Sequence, residues 1–407
     1  YEALFEEAGG ARLGLALMRA KAAFFEHNSG PGSGSNTNSE KYHLLGDPLM
    51  RLAMPELPVE ISAASSDTLY ALTQANLSGQ ILTQSGSPIT NFSGIVQVQV
   101  FDTRIPIYYG FNNAPPPTIP TYYLPGNLIF RGDCSVQGGQ FQATFIVPVD
   151  INYGGAGGRY SLLVYSDEIS GSGANDSVVF APSATSLQDS IPPQVSLYFD
   201  SPAFRSGEQV NPEAVLYVQV SDSHGVNLTG STGHGIVVTI DGQNPIDLTD
   251  AFSYDLDSYM TGRAEYQFAP GELSGGVHQA EAMAWDAANN PNTAQVAFEV
   301  LAGGELGLAD LLNYPNPFSG TTRFTFRLTE APALVSIKVY TVAGRLVKEF
   351  RDVPVDDVYD VNNPHLVWDG RDEEGDLLSN GVYLYKILAE SADGRSAEEI
   401  GKLMFLR

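Results

Sequence analysis

Tyr314-Pro315-Asn316-Pro317-Phe318 is the stretch that decides the fold. Each proline fixes its own φ and pushes the preceding residue toward β or polyproline II backbone. Tyr314 and Asn316 are therefore extended, and Phe318 stands at the head of a strand. Behind it, residues 322–328 alternate polar and apolar side chains, the period of a half-buried strand. Residues 335–340 repeat the alternation, Ala343-Gly344-Arg345 is a turn, and 346–350 return as the second arm of a hairpin. The module closes on Trp368-Asp369-Gly370-Arg371-Asp372 and Asn380-Gly381-Val382-Tyr383-Leu384-Tyr385. On residues alone it is an immunoglobulin-like β module with a proline-rich approach.

Upstream, the chain from Val59 continues as short strands separated by turns, with no helix candidate. Strands are expected at 95–101, 141–147 and 160–165, with a stiff proline-rich surface loop at 114–120. Strand-turn spacing of this kind predicts a β-sandwich. A second β unit begins at Ile191-Pro192-Pro193, with strands expected at 194–199, 214–220, 235–240, 263–268, 280–285 and 294–300. Gly303 and Gly304 link it to the terminal module. Residues 1–28 are the one helical stretch: Leu13, Leu15, Leu17, Met18, Ala22 and Phe25 recur near helical spacing, against the propensity of Gly14. A Gly/Ser/Asn-rich loop follows at 28–39.

The 407 residues allow two to four domains of ~100–200 residues each. Net charge is −26, from 21 basic and 47 acidic residues, and no lysine lies between Lys41 and Lys338. Phosphate neutralisation needs a basic face, so nucleic-acid binding is excluded. An acidic, lysine-poor surface suits an exported protein. The single cysteine, Cys134, excludes an internal disulfide framework. No apolar run approaches the ~18 residues that span a bilayer. Tyr1 is not an initiator, and the chain reads as part of a longer protein.

Chemistry-bearing residues are sparse. Cys134, in Gly-Asp-Cys-Ser ahead of a strand, has no flanking histidine and reads as a packed thiol. His43, beside Leu44 and Leu45, reads as a satisfied, partly buried imidazole. Asp222, His224, His234 and Asp241 are donors of the kind that suits zinc or manganese, but the ten-residue histidine spacing matches no ligand signature. They read as turn caps. Asp369, Asp372 and Asp376 place hard oxygens on an acidic loop, as calcium requires, yet Asp-Gly and Glu-Gly are ordinary turn dipeptides. No catalytic residue, metal or cofactor is assigned.

The order of motifs along the chain resembles one family. Leu44-Leu45-Gly46-Asp47-Pro48, followed by Arg51 and Leu52, is similar to the end of a gingipain-type (C25) cysteine peptidase domain. The run from Phe130-Arg131-Gly132-Asp133-Cys134-Ser135 to Phe145-Ile146-Val147-Pro148-Val149-Asp150-Ile151 resembles the β domain that follows the peptidase in type IX secretion sortases. Ser221-Asp222-Ser223-His224-Gly225-Val226-Asn227, Gly233-His234-Gly235-Ile236, Ile240-Asp241-Gly242 and Ala284-Trp285-Asp286 resemble the next domain of that family. The terminal module resembles the type IX C-terminal sorting domain. Cys134 departs from the small residue expected there, and Gly235 from the Asp expected after His234. The family's catalytic Cys and His would lie upstream and have no match here.

The resemblance implies a mainly β fold: tandem immunoglobulin-like β-sandwich domains following the end of an α/β caspase-like peptidase domain. The parts would be 1–55, the peptidase remnant; 56–187 and 188–302, two β-sandwiches; and 303–407, the sorting-type domain. It implies a cell-surface, outer-membrane-associated parent enzyme that cleaves the C-terminal signals of secreted cargo. The enzyme then joins the new carboxyl end to a lipopolysaccharide-type acceptor. This part would be non-catalytic and would dock the enzyme on an outer-membrane β-barrel partner through Tyr314, Asn316, Phe318 and Phe405, the last on an open final strand at 402–407. Two alternatives stand: the end of a secreted gingipain-like endopeptidase with a removable sorting signal, and a non-enzymatic adhesin.

Overall fold

The computed structural model describes residues 12–28, 44, 47–50, 55–64, 68–108, 121–153, 157–167, 169–182, 189–301, 306–331, 333–359 and 362–407. His43, Gly46, the 114–120 loop and the 303–304 link lie outside the described residues. The protein is mainly β, in several sheets. The α-helix Leu13–Asn28 precedes them. Gly14, a poor helix former, has a packing reason. Its N–H donates to Pro48 O at 2.9 Å while Leu13 N–H donates to Met50 O at 2.9 Å. A Cβ on Gly14 would stand 2.6 Å from Pro48 Cβ, so only glycine lets the 47–50 turn lie on the helix.

A 12-stranded sheet path runs Gln194–Phe199, Val215–Ser221, Thr261–Gln267, Ser253–Tyr254, Leu128–Val136, Gly94–Phe101, Gly158–Tyr165, Ser170–Ala181, Leu57–Ala64, Gln74–Ile81 and Gln140–Ile146, with Thr68–Tyr70 beside Ser170–Ala181. A five-stranded sheet built on Gly276–Trp285 and Pro291–Val300 supplies the facing layer for its Gln194–Phe199 end. Phe199 meets Phe298 across the layers with ring centroids 4.4 Å apart. One apolar core runs unbroken from Val59 to Val300, and a second from Leu306 to Phe405.

The seam within the first core is made by residues 130–135. Gly132 on Leu128–Val136 pairs with Tyr254 on Ser253–Tyr254, and Phe130 stacks on Tyr254 with centroids 5.1 Å apart. A Cβ on Gly132 would lie 2.7 Å from the Phe130 ring and 3.3 Å from Tyr254 Cβ. Beside it, Ser135 donates from N and Oγ to the two carboxylate oxygens of Asp257 at 2.7 and 2.6 Å. Asp257 N–H donates back to Asp133 O at 2.8 Å.

In the terminal module, Leu308–Tyr314, Thr322–Leu328 and Val367–Trp368 form one sheet. Leu346–Val355, Ala333–Thr341, Gly381–Ser391 and Ser396–Phe405 form the other. The last strand thus begins earlier and ends sooner than the expected 402–407. Gly401 in it is covered by the ring of its cross-strand partner Tyr385, which leaves a Cβ only 2.1 Å of separation. Gly79 and Phe141 make the same arrangement in the first core. Such glycine–aromatic pairs pin register, because a slipped strand would drive a side chain into the ring.

Arg327 fastens the terminal module to the preceding β unit. It is buried, contacts Glu208 Oε1 at 3.0 Å, donates to Ala203 O at 3.1 Å and lies over the Tyr359 ring at 4.7 Å. Asn211 Nδ2 adds bonds to Thr329 O and Glu330 Oε2 at 3.2 and 3.0 Å. Removing one partner of a buried ion pair strands the other charge. Arg327→Ala is therefore expected to lower stability by about 3–5 kcal/mol in urea titration. Arg327→Met combined with Glu208→Leu should recover most of that loss. A single change without effect would show that the pair holds nothing.

Candidate functional site

The proline motif is a clamp across the end of strand Ser396–Phe405. Both the Tyr314–Pro315 and Asn316–Pro317 bonds are cis. Asn316 Nδ2 donates to Lys402 O at 3.1 Å, and Asn316 Oδ1 accepts from Met404 N–H at 2.9 Å. Phe318 N–H donates to Met404 O at 3.0 Å and Leu406 N–H to Phe318 O at 2.9 Å. The Phe318 ring packs edge-on against Phe405 at 5.1 Å and near Trp368 at 5.7 Å. Gly370, at φ +75°, makes room: a Cβ there would sit 2.8 Å from Phe405 and 3.2 Å from Phe318.

The four docking candidates therefore separate. Phe405 is 0% exposed and Phe318 is buried, so both rings fill the module's own core and neither is offered to a partner in this conformation. Asn316 spends its side chain on the clamp. Tyr314, 79% exposed, presents its ring to solvent. Sequence reasoning missed two other exposed apolar side chains, Leu312 and Ile400, each 62% exposed. They lie on the neighbouring strands Leu308–Tyr314 and Ser396–Phe405. Ser396–Phe405 is the edge of its sheet: among the described residues, its one pairing beyond Gly381–Ser391 is the bridge from Phe405 to Phe318.

The Asp222, His224, His234, Asp241 group does not assemble. His234 Nδ1 bonds Asp150 Oδ2, and its ring lies 4.3 Å from Trp285. Asp150 also accepts from Asn227 Nδ2 at 3.1 Å and Asn289 Nδ2 at 2.7 Å, a polar hub that sequence reasoning missed. Asp241 Oδ2 faces His278 Nδ1 at 2.7 Å, and the imidazole and Gln279 N–H hold its carboxyl below the usual range. Asp222 caps its turn as expected, accepting from His224 N–H at 2.7 Å. Gly235 is explained by crowding: a Cβ would meet Thr249 Oγ1 at 2.6 Å, where that oxygen accepts Ile236 N–H.

Asp369, Asp372 and Asp376 form a turn. Asp372 N–H donates to Asp376 O, Gly375 N–H to Asp372 O, and Asp372 Oδ1 accepts from Asp376 N–H. Gly370 and Gly375 take the positive φ this turn requires. Cys134 is buried opposite Val96, and burial, with Asp257 and Asp133 nearby, pushes its thiol up to about 12. A nucleophilic cysteine needs the reverse shift.

A cleft of 1250 Å³ opens between the second β unit and the terminal module, walled by Asp200, Glu330, Asp356, Asp357, Asp393 and Arg395. Asp200 stands in left-handed backbone at φ +54° and accepts Val215 N–H at 2.8 Å. Burial, then the charges of Asp357 and Glu330, raise its carboxyl to about 6 against the lowering by that bond.

These features define a multi-sheet β protein whose described residues bear no assembled catalytic group. The chain is similar to dimeric latent PorU from Porphyromonas gingivalis, at 24% identity over 99% of this chain and 39% of that one, with a TM-score of 0.41. It therefore spans about two fifths of that structure. It is also similar to a mixed-linkage glucan locus protein, SGBP-B, of Bacteroides ovatus: 18% identity, 63% and 56% of the two chains, TM-score 0.26. A third likeness is to a tetra-tandem repeat from the extending region of a large adhesion protein: 12% identity, 86% and 74% of the two chains, TM-score 0.19. No family model and no curated protein matches the chain.

Two outcomes follow from the site chemistry. Cys134 is expected to resist iodoacetamide at pH 8 in the native chain and to react fully in urea; native labelling would overturn its burial. Asp200 keeps its proton up to about pH 6 when folded and only to about 4 when unfolded. It thus favours the folded state at low pH and costs stability as pH rises from 4 to 6. Asp200→Asn, which keeps the Val215 bond and tolerates positive φ, should raise stability at pH 7 by about 1–2 kcal/mol. An unchanged slope of stability between pH 4 and 6 would refute it.

Proposed function

We propose that this chain is the non-catalytic C-terminal part of a cell-surface protein of the type IX secretion sortase kind, and that its terminal module docks the parent protein on an outer-membrane β-barrel. The sequence motifs at residues 44–52, 130–151, 221–242 and 314–318 supply the family reading. The parts 1–55, 56–187, 188–302 and 303–407 belong to it, and the two middle parts act as one body because they share a core. In the parent, cargo signals would be cleaved and joined to a lipopolysaccharide-type acceptor by the upstream peptidase. This part would carry that peptidase at a set distance and orientation.

The observation that carries docking is the open edge of Ser396–Phe405, flanked by the exposed side chains Leu312, Tyr314 and Ile400. Unpaired strand edges invite strand addition, and exposed apolar and aromatic side chains supply anchors. The clamp of Asn316 and Phe318 holds the end of that strand in place, so a partner meets a formed edge. No helix among the described residues is long and apolar enough to cross a membrane, which says nothing of a β-barrel. Surface attachment through a partner is consistent with this.

Tyr314→Ala with Ile400→Asp, introduced into the full-length protein in its own cells, should shift it from the outer-membrane fraction to the medium. Circular dichroism of the purified variant should show the β fold retained. Undiminished membrane retention, or release that tracks unfolding, would sink docking through this face.

A further inference from the structure

Asp189 lies in the connection between strands Ser170–Ala181 and Gln194–Phe199. Asp222 and His224 lie on the turn after Val215–Ser221. The antiparallel ladder that pairs Gln194 with Ser221 brings these two segments side by side. Among the described residues, Asp189, Asp222 and His224 are the one group of three metal-type donors whose ligand atoms all lie within 4.8 Å of one another.

The Asp189 carboxylate is not a solvated surface acid. Its side chain is 2% exposed, and its Oδ1 accepts Ile191 N–H at 2.9 Å. Its Oδ2 is buried and receives no hydrogen bond. That oxygen lies 2.7 Å from His224 Nδ1, a nitrogen that also faces Ser223 Oγ at 3.3 Å. The spacing is that of neighbouring donors on one ion, roughly 2.7–3.5 Å for bonds near 2.1 Å. The connection is also pinned from behind: Asn290 Nδ2 donates to Asp189 O at 3.2 Å and Asn292 Nδ2 to Pro193 O at 2.7 Å.

Among the described residues, the ion-pair partner of Asp189 is His224, and no lysine or arginine pairs with Asp189, Asp222 or Asp286. Asp286 is fully buried close by, and its oxygens accept from Ala288 N–H, Asn290 N–H and Asn290 Nδ2 at 2.9, 2.8 and 2.7 Å. Asp222 Oδ1 accepts His224 N–H at 2.7 Å, so the acid and the imidazole sit on one turn. Several acids thus converge on a single imidazole. Burying carboxylates without a counter-charge is costly, and a bound cation removes the cost.

We propose that Asp189, Asp222 and His224 bind one divalent transition-metal ion of the zinc or manganese kind. One imidazole and two carboxylates are a mixed nitrogen and oxygen donor set, which suits those ions. Water completes the coordination. The ion ties the connection ahead of Gln194–Phe199 to the turn after Val215–Ser221, and so fixes the passage from the first β unit to the second. Its role is to brace that joint.

The test uses the chain of residues 1–407, stripped with a chelator, dialysed, and offered zinc, manganese or calcium chloride at about 100 µM. Elemental analysis should find one zinc or manganese ion per chain, with a melting temperature raised by about 3 °C or more. Cobalt(II) should give a visible absorption band from nitrogen coordination. Asp189→Asn and His224→Gln should each abolish the shift and the band. His224 is partly exposed, so His224→Gln is expected to fold, and His234→Gln should leave binding intact. No retained ion with any of the three salts overturns the proposal. Binding that survives His224→Gln, or a shift with calcium alone, overturns the assigned donor set.

Discussion

The close approach at Gly132 is the constraint on which most of this structure depends. The chain passes Tyr254 there with no room for a Cβ, and Phe130 stacks on the Tyr254 ring. That contact turns what would be two separate sandwiches into one sheet path and one core. The hub at Asp150 depends on it, because its three donors come from Asn227, His234 and Asn289 across the seam. Buried polar groups tolerate such a position only when their partners are placed by the surrounding packing.

The terminal module solves a different problem. Its last strand lies at the edge of its sheet, paired along its length with Gly381–Ser391. The proline motif gives that strand a second neighbour near its end, through backbone bonds at Phe318 and side-chain bonds from Asn316. Phe318, Trp368 and Phe405 then close the core beneath it. Aromatic residues that look like interface anchors in sequence are thereby used internally. What remains for a partner is the open part of the edge and the side chains that point away from this core.

Strands that alternate in sequence were legible. Gln194–Phe199 and Thr322–Leu328 occupy the positions read from the pattern, although each buries its last three residues in a row, and Gly94–Phe101 differs by one residue. Gln74–Ile81 and Ser170–Ala181 were not legible, because glycine and polar residues interrupt their alternation. Gly79 is completed by the Phe141 ring from another strand, and Gly173 lies against the Val59 backbone, so the information sits in the neighbour. The same holds for the side-chain clusters. Asp222 and His224 stood out by donor type, but Asp189 carries no local mark and joins them only through the Gln194–Ser221 ladder. His234 and Asp241 stood out equally and were drawn to Asp150 and His278.

The acidic composition is concentrated in effect where the chain turns between strands. Asp102, Asp150, Asp222, Asp257 and Asp286 each accept hydrogen bonds from nearby N–H groups, hydroxyls or asparagine amides rather than from lysine or arginine. Short aspartates suit this, since they reach the backbone two residues on and organise a turn with little side-chain entropy to lose. The consequence is electrostatic. Hydrogen bonds satisfy the oxygens but do not cancel the charge, so burial still raises the carboxyls of Asp102, Asp222 and Asp286. Arg327 shows the other solution, a buried cation set against Glu208 at the module junction. A chain with 21 basic residues against 47 acidic ones can repeat that solution only rarely. Its remaining joints are held by directed hydrogen bonds, which fix geometry closely while leaving negative charge in place for a cation to meet.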